Sequence, residues 1–574
     1  MPKLSFRAKL WNWTGFPNRE DQLAMGLSLV IGVIVGLTVV AFILLTGRLA
    51  ARMYPAGGAA WRRLLVPVIG TLVSGYLLVK YFPNARGSGI PQAKFALFIQ
   101  DGYISFRTVI GKFICCSISL ASGIALGREG PSVQIGAGIA SILGRRFGLS
   151  KANVKALVPV GCSAALATAF NTPIAAVLFS LEEILGDLHA PVLGSVVLSS
   201  ATAWIVLHLV LGDEPLFHTP AYQLVNPLEF GIYAILGVLG GLGSVCFVKL
   251  LLKLRIWFWR LPQSTLWLQP AAGGLLMGLF GLFIPEVLGV GYDYVDHVLT
   301  GDFPVKIVAL LAVMKIIATP ACYSSGNAGG IFGPSLFIGA MIGGTVGSVA
   351  HTLLPHLTAN PGAYALVGMG TAFAGIVRTP LTSVIMIFEM TRDYSIIVPL
   401  MISNLISFFI SQQLQHEPIY EALALQEGVY LPTGESREEL TGIRVSEVMH
   451  TGAEALPADS SIDVAKQRFK QEKCTSWPVG NGDYVQGVIS SHQIDTSGSP
   501  PATIRDLIKG DGRYPFVHSD HPLSYALEQM GDNSVDVVPV VSRTNIHRMA
   551  GVVTLTDILS TYGVTPKPDA ERTR

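Results

Sequence analysis

Long uncharged segments recur along the chain up to about residue 413, which is the pattern of a protein with many membrane-spanning helices. A helix needs roughly 20 apolar residues to cross the hydrocarbon core of a bilayer. Other apolar segments, at 113–126, 131–144 and 333–350, are shorter and interrupted by glycine or proline. We predict long spans at residues 22–47, 64–79, 188–212, 230–248, 264–285 and 394–413.

The composition supports this interpretation and changes along the chain where the membrane region ends. Hydrophobic residues make up 50% of the 574 residues and charged residues only 14%, which excludes a single soluble domain. From about residue 415 charges are frequent, and helical and β-type stretches alternate twice. The expected fold is an all-α polytopic membrane protein followed by two α+β modules. The predicted parts are an N-terminal segment at 1–21, a membrane domain at 22–425 with halves at about 22–212 and 228–425, a linker at 426–442, modules at 443–498 and 502–564, and a tail at 565–574.

Charge and cysteine patterns narrow the possible functions. The six cysteines lack metal-type spacing, so we expect neither a metal site nor disulfides. No basic stripe with interleaved aromatic residues indicates nucleic-acid binding. Lys3, Arg7, Lys9 and Arg19 precede the first span, so the positive-inside rule places the N-terminus in the cytoplasm.

An internal repeat divides the membrane region into two halves. GREGPSVQIGA at 127–137 matches GIFGPSLFIGA at 330–340 with seven of eleven positions identical, and PNARGSGIP at 83–91 matches PEVLGVGYD at 285–293. Repeated halves with short, Gly/Pro-interrupted segments in corresponding positions are typical of a transporter whose site lies at the repeat interface. The alternative is an old duplication kept only for packing.

The matched motifs GREGP and GIFGP suit anion binding. Each places Gly and Pro at the head of an apolar segment, which predicts a helix that begins inside the membrane. The free N–H groups and partial positive charge of such a helix start can hold an anion without a full countercharge. Ser88, which is flanked by glycines, adds a hydroxyl donor.

The halves differ in their polar residues. Glu129 aligns with Phe332, and Ser88 also has an apolar counterpart. A carboxyl at membrane depth costs roughly 2.5 to 3.5 kcal/mol, so a functional role is its default interpretation. It would compete with the anion for the same donors and release them when protonated. The alternative is a structural ion pair with Arg128 or Arg145.

A paired-glutamate segment shows a similar difference. A third repeated block aligns Glu182 with Glu389, which indicates a helix-end feature common to both halves. Glu183 aligns with Met390 and is peculiar to the first half. The alternative interpretation of Glu183 is a solvated helix terminus.

The motifs GSGIP, GREGP and GGIFGP, in this order, resemble those of the CLC family of chloride channels and chloride/proton exchangers, over residues 20 to about 425. The resemblance implies an inverted-repeat fold, a homodimer and one anion path per subunit. It implies that Ser88, the backbone amides of Ile331 and Phe332, and Tyr420 bind chloride. Taken alone, Tyr420 in HEPIYEAL is more typical of an interfacial anchor.

The resemblance also assigns the two glutamates. In the family, the GREGP glutamate, here Glu129, is the gate that takes up external protons, and exchangers carry an inner glutamate, here Glu183. Chloride/proton antiport is therefore implied, with a passive voltage- or pH-gated chloride channel as the alternative. The intact Ser88 favours chloride over fluoride and nitrate.

The tail modules resemble a pair of CBS domains, which commonly bind adenine nucleotides. The resemblance places Thr554 and Asp557 at the nucleotide, whereas the aligned residues of the first module, Ser490 and Gln493, lack the acid. The alternative for Thr554 and Asp557 is a helix N-cap. No other cofactor is expected.

We therefore expect a chloride/proton antiporter in the lipid bilayer of a bacterial-type inner membrane, a homodimer with its CBS pair in the cytoplasm. No enzymatic activity is expected. Two rivals of other classes are a membrane-embedded enzyme, with His351 and His356 as its nearest candidates, and a nucleotide sensor whose membrane part is only an anchor.

Overall fold

The computed structural model divides the chain into two units, one ending at Leu431 and one beginning at Pro432. Of the predicted parts, nearly all of the N-terminal segment, most of the linker and the whole tail at 565–574 lie outside the described residues. The structure describes residues 19–55, 57–188, 191–213, 216–217, 225–301, 303–429, 431, 443–472, 474–496, 503–508 and 514–561.

The first half of the membrane unit is a series of helices of very unequal length. A π-helix, Ser180–Leu185, continues the short α7, and a 3₁₀ turn, Pro83–Ala85, precedes α3. The helices are α1 (Arg19–Met53), α2 (Trp61–Lys80), α3 (Ile90–Phe98), α4 (Phe106–Ala121), α5 (Glu129–Arg146), α6 (Lys151–Phe170), α7 (Pro173–Phe179) and α8 (Leu193–Leu211).

The second half repeats this order. A 3₁₀ turn, Pro285–Val287, again precedes the short helix, and α17 follows as an addition. The helices are α9 (Glu229–Trp259), α10 (Gln269–Phe283), α11 (Tyr292–Thr300), α12 (Val305–Ser324), α13 (Phe332–Leu353), α14 (Pro361–Val377), α15 (Pro380–Thr391), α16 (Ile397–Leu414) and α17 (Ile419–Gln426).

Eight helical segments of the described chain are long and apolar enough to cross a membrane. The predicted long span at 264–285 is wrong, because α10 has 15 residues and ends where Pro285 forces Ile284 out of helical geometry. The segment at 333–350 is not short, since α13 has 22 residues. The hydropathy pattern also missed α6 and α12, whose helices carry buried polar side chains. The eight segments are Gln22–Met53, Trp61–Lys80, Lys151–Phe170, Leu193–Leu211, Glu229–Trp259, Val305–Ser324, Phe332–Leu353 and Tyr394–Gln426.

Glycines at equivalent positions allow the helices of each half to touch. Gly136 on α5 faces Gly161 on α6 so closely that a Cβ on either would lie 2.2 Å from the carbonyl oxygen of the other. Gly339 on α13 and Gly368 on α14 repeat this contact in the second half, at 2.1 and 2.2 Å. Small residues at helix contacts are the usual means of close packing in membranes. The repeated glycines therefore belong to the scaffold.

The paired glutamates Glu182 and Glu389 join the two halves reciprocally. Glu389 accepts hydrogen bonds from the backbone N–H groups of Ile174 and Ala175 at the start of α7, at 2.9 and 2.7 Å. Glu182 accepts from the N–H of Thr382 at the start of α15, at 2.8 Å. Each carboxylate thus satisfies free N–H groups of the other half. The expectation of a shared helix-end feature is confirmed.

The tail unit contains two small sheets. Their strand orders are β1-β6-β5 and β2-β3-β4, and Pro478 and Pro539 hold corresponding positions, paired with Val488 and Val552. The elements are α18 (Val445–Val448), β1 (His450–Thr451), β2 (Leu456–Pro457), α19 (Ile462–Glu472), β3 (Ser476–Asn481), β4 (Tyr484–Ser490), α20 (Ser491–Thr496), α21 (Leu523–Asn533), β5 (Val537–Val541), β6 (Met549–Thr554) and α22 (Leu555–Thr561).

Each of the two predicted tail modules, 443–498 and 502–564, begins with a leading segment, at Val445 and at Ile504, that packs into the other module. The N–H of Val445 donates to the carbonyl of His521 at 2.9 Å, and β1 pairs with β6 of the second module. The N–H of Ile504 donates to Ser460 of the first module at 3.0 Å. Val445 and Ile504 are both fully buried, each in the core of the other module.

The reciprocal caps lead to a stability prediction. Glu389→Gln leaves one acceptor oxygen for two N–H donors, so we expect the free energy of unfolding to fall by about 1 to 2 kcal/mol. The measurement is thermal unfolding of the purified protein in detergent. Asp293→Asn, at an exposed carboxylate on α11, is the control and should change the unfolding temperature little. Equal unfolding temperatures for the two variants would contradict the capping role.

Candidate functional site

The starts of α5 and α13 lie against each other. The N–H of Gly127 donates to the carbonyl of Gly330 at 2.7 Å, and the N–H of Gly330 donates to Gly127 at 2.7 Å. This is the hydrogen-bonded pair of two antiparallel strands. It brings together the GREGP and GIFGP segments, 203 residues apart, and both begin helices as predicted.

Ser88 lies beside this meeting point. The residue before it, Gly87, forms a parallel bridge with Ala328, just ahead of the GIFGP segment. Gly89, which follows it, has a φ of 112° that only glycine adopts readily, and α3 begins at the next residue. Ser88 is fully buried, and its hydroxyl has no hydrogen-bond partner among the described residues.

Tyr420 and Phe332 are also buried. The Tyr420 hydroxyl has no hydrogen-bond partner in the described part of the chain. An interfacial anchor would be exposed at one end, so that interpretation of Tyr420 is wrong. Tyr420 lies within electrostatic range of both Glu129 and Glu183. Ile331 directly precedes α13 and is fully buried.

The Phe332 ring is packed among three aromatic side chains. Its centroid is 4.7 Å from that of Phe170, 5.5 Å from that of Phe179 and 4.3 Å from that of Phe373. Offset and tilted contacts at such distances stabilise a fixed ring position. The start of α13 is therefore held rigidly from its side-chain face.

Glu129 reaches across to the other half. Its Oε1 accepts a hydrogen bond from the Tyr292 hydroxyl at 2.5 Å, and its Oε2 accepts from the N–H of Gly333 at 3.3 Å. Within the described residues no ion pair joins Glu129 to Arg128 or Arg145, so the structural ion-pair alternative is wrong. The carboxylate occupies a donor at the start of α13, where an anion would be expected to bind.

Glu183 lies in the π-helix that continues α7 and is buried. The Lys94 Nζ donates to its Oε1 at 2.9 Å. The alternative of a solvated helix terminus is therefore wrong. Single-turn π-helices interrupt α-helices frequently at functional sites, because they turn one side chain away from the regular spacing.

Several polar residues of this region were not singled out from the sequence. Tyr292 aligns with Ile90 of the GSGIP segment, so the comparison of the two halves could have identified Tyr292 as a polar residue with an apolar counterpart. Lys94 and Glu421 carry no local signal, because their contact joins positions 327 residues apart. Lys112 donates to the carbonyls of Ala85 and Gly87 at 3.0 and 2.7 Å, just before Ser88.

The contact made by Lys112 is repeated in the second half. Lys315 donates to the carbonyls of Val287 and Gly289, at 3.1 and 2.5 Å. Both lysines are fully buried. Each fastens the loop that precedes a short helix, although only the first loop carries a serine.

A polar cavity of about 420 Å³ lies beside the loop before Ser88. Asn84, Arg86 and Gly87 line it from that loop, and Arg255 and Glu427 line it from α9 and the residue after α17. Arg255 pairs with Glu427, whereas Arg86 adds a second guanidinium near it. The cavity therefore carries an excess of positive charge, which attracts anions toward Ser88.

The histidines considered for an enzyme do not form a site. His351 at the end of α13 is hydrogen bonded to Thr358 at 3.2 Å, and His356 is exposed. Over the described ranges, no group of three or more His, Cys, Asp and Glu side chains could hold a metal ion.

In the tail, Thr554 and Asp557 form a helix cap at the start of α22. The N–H of Asp557 donates to the Thr554 hydroxyl oxygen at 3.1 Å, and the Thr554 N–H donates back to the Asp557 carboxylate at 3.2 Å. His450 Nε2 lies 3.0 Å from that carboxylate. Ser490 and Gln493 make the equivalent exchange in the first module. The N-cap interpretation is confirmed.

Comparison with known proteins agrees with this arrangement. A family model described as "Voltage gated chloride channel" matches residues 70–412, which is more than half of the chain. The chain belongs to the voltage-gated chloride channel family. Its CLC fold is confirmed, and family membership rules out the membrane-embedded enzyme as expected. A CBS-domain model matches residues 504–563, the second of the two tail modules.

Relatives of this CLC protein carry the names of both exchangers and channels. It is 34% identical over 356 residues to the H(+)/Cl(−) exchange transporter ClcA of Vibrio campbellii, covering 61% of this chain and 76% of the relative. It is 36% identical over 352 residues to the putative chloride channel protein ClcB-like of Ralstonia nicotianae, covering 60% and 81%.

Solved structures of the family share the fold. The crystal structure of a slow cyanobacterial Cl−/H+ antiporter is 27% identical, with a TM-score of 0.65, and the match covers 70% of this chain and 97% of that one. A eukaryotic CLC transporter, 21% identical, has a TM-score of 0.65 over 94% of this chain and 99% of its own. The likeness to the eukaryotic transporter, at 21% identity, shows only that the two proteins share a fold.

The repeated lysines provide a matched pair of variants. Lys112→Met removes the donor that holds Ala85 and Gly87, so we expect the Ser88 loop to loosen and chloride affinity to fall about tenfold. Lys315→Met makes the equivalent change beside a loop without a serine and should affect chloride affinity much less. Calorimetric titration of chloride measures both. Equal affinity losses in the two variants would contradict a specific role of Lys112 at the Ser88 loop.

Proposed function

We propose that this chain exchanges chloride for protons across the membrane, with Glu129 as gate and external proton acceptor and Glu183 as internal proton acceptor. Chloride transport follows from the family. The observation that carries the proton part is that two buried carboxylates, Glu129 and Glu183, both lie within electrostatic range of the buried Tyr420.

The proposed chloride ligands are the Ser88 and Tyr420 hydroxyls and the backbone amides of Ile331 and Phe332. The two hydroxyls support this assignment, because buried polar groups normally have hydrogen-bond partners and these have none among the described side chains. All four donors are neutral. An anion held only by dipoles and hydroxyls can leave again, which transport requires.

The contacts of Glu129 support its role as a gate. The ionised carboxylate accepts from the Gly333 N–H, so it competes with chloride at the start of α13. Protonation removes its charge and weakens that hydrogen bond. The carboxyl can then swing out of the anion path and carry its proton with it. Chloride and protons would share this outer part of the path.

The inner parts of the two paths would diverge. The positive cavity near Arg86 supports an anion route to Ser88, whereas Glu183 does not line that cavity and is bonded to Lys94. Protons would pass from Glu183 toward Glu129 past Tyr420. Separate inner routes allow each ion to be bound without displacing the other.

We also propose the assembly and orientation. The chain would be a homodimer in the lipid bilayer of the inner membrane, with a separate path in each subunit and with the N-terminus and the CBS pair in the cytoplasm. The candidate spans and the family support a multi-pass membrane protein.

A passive chloride channel, gated by voltage or pH, is the second candidate, and the name of the Ralstonia relative supports it. Reversal potentials of the reconstituted protein in opposed chloride and pH gradients separate the two. An exchanger's reversal potential moves with the pH gradient, because protons contribute to the driving force. A reversal potential that follows chloride alone would reject exchange.

Glu129→Gln should uncouple the two ions. The amide cannot carry a transported proton, so proton flux is expected to fall by at least about 100-fold while chloride flux persists. Chloride efflux and proton uptake are measured together in reconstituted vesicles. Glu229→Gln is the control, because Glu229 is a buried carboxylate bonded to the Ala359 N–H, outside the site. A Glu129→Gln variant that still couples would exclude Glu129 as the proton acceptor.

We further propose that the CBS pair binds an adenine nucleotide through Thr554 and Asp557. Titration of the full-length protein with ATP by calorimetry should give binding that is lost in Asp557→Asn. Gln493→Ala changes the corresponding residue of the first module and should retain it. If ATP binds neither the unaltered protein nor the control, Thr554 and Asp557 serve only as the cap of α22.

A further inference from the structure

Lys94, Glu183 and Glu421 form a buried ion cluster that joins three separate elements. Lys94 is on α3, Glu183 in the π-helix and Glu421 on α17. The Lys94 Nζ is 2.9 Å from Glu183 Oε1 and is also hydrogen bonded to Glu421 Oε1. The side chains are only 4%, 6% and 9% exposed, in that order. The cluster is therefore shielded from solvent.

The cluster adjoins the proposed chloride ligands. Lys94 follows Ser88 on the short helix that begins at Ile90, and Glu421 is the neighbour of Tyr420 in sequence. Tyr420 lies within electrostatic range of Glu183, Glu421 and Glu129. A proton held in the cluster is therefore close to the point where the anion would be bound.

The charges of the cluster do not balance when all three groups are ionised. Two carboxylates face one ammonium, and Glu421 Oε2 is buried without a hydrogen-bond partner among the described residues. Negative charge on that oxygen is costly because no hydrogen bond to it replaces its lost hydration. One proton on the carboxylate pair removes the excess negative charge.

The surrounding groups do not supply the missing positive charge. Glu182, next to Glu183, is turned to the start of α15, where it accepts from Thr382. Tyr420, which lies within electrostatic range of Glu183 and Glu421, is not a cation. Arg255 on α9 contacts α17 further along, at Leu423, Gln426 and Glu427.

We propose that Glu421 is a second internal proton acceptor, which shares one exchangeable proton with Glu183, and that Lys94 is the positioning residue between them. This inference rests on the proposed antiport. The proton moves from one carboxyl to the other carboxylate, while the Lys94 ammonium keeps its own protons and holds both side chains. Glu421 thereby extends the internal proton site from one residue to a pair.

Glu421→Gln tests the second acceptor. We expect the ratio of proton to chloride flux in reconstituted vesicles to fall at least about tenfold, with chloride flux still measurable. Glu421→Asp retains a titratable group and should restore part of the ratio. Glu417→Gln removes a charge just before α17 and should leave the ratio unchanged. A role in folding alone would lower both fluxes together at a constant ratio, and that result would overturn the proposal.

Lys94→Met tests the positioning residue. Without the ammonium, the two carboxylates retain their shared proton more strongly. The internal pH of half-maximal proton flux should therefore rise by about one unit, which corresponds to a tenfold change in proton affinity. Lys94→Arg keeps the charge and should keep the profile close to that of the unaltered protein. An unshifted profile in Lys94→Met would exclude the positioning role.

The same vesicles separate this inference from the function on which it rests. An unaltered protein that moves chloride without protons overturns the antiport itself. If the unaltered protein couples and Glu183→Gln does not, but Glu421→Gln keeps the original ratio, the antiport stands and only the role of Glu421 is rejected.

Discussion

The pair of hydrogen bonds exchanged by Gly127 and Gly330 is the contact on which the rest of the site depends. It holds the starts of α5 and α13 together, so the free N–H groups of both helices converge on one small volume. Larger residues would separate them, because a Cβ on Gly330 would lie 3.0 Å from the Gly130 nitrogen. Only at this separation can Glu129, at the start of α5, reach the Gly333 N–H of the other half. The proposed anion site and the proposed gate therefore share one backbone contact.

Around that contact, symmetric residues build the scaffold and asymmetric residues supply the chemistry. Lys112 and Lys315 fasten corresponding loops, and Glu182 and Glu389 cap corresponding helices. Glu129 has no acidic counterpart. A repeat can keep such scaffold pairs because each pair makes the same contact twice. A second carboxylate at the corresponding position, Phe332, would lie across the short bridge between Gly127 and Gly330 from Glu129 and repel it.

The sequence predicted those parts of the structure that have local signals. The helix starts followed from Gly and Pro in GREGP and GIFGP, and the repeat alignment separated Glu129 from the scaffold. The contact between Lys94 and Glu421 has no such signal, since it depends on the packing of α3 against α17 across 327 residues. Hydropathy predicted the spans least reliably where packing or proline decides the helix. It missed α6, which lies mostly inside the protein. It also made the span at 264–285 too long, because α10 ends before Pro285. The exchange of leading segments in the tail likewise depends on which core buries Val445 and Ile504.

The two buried glutamates are stabilised in different ways, and the difference matters for transport. Glu129 is held by an amide and a hydroxyl, which chloride can also use, so an anion can displace it. Glu183 is held by the full charge of Lys94, which chloride could not displace without being trapped. A lone ammonium so close to Ser88 and Tyr420 would itself bind chloride too tightly for release. In the proposed pair Glu421 prevents this, because its carboxylate still balances the Lys94 ammonium when the shared proton is on Glu183. The cation can then organise the proton site without becoming part of the anion path.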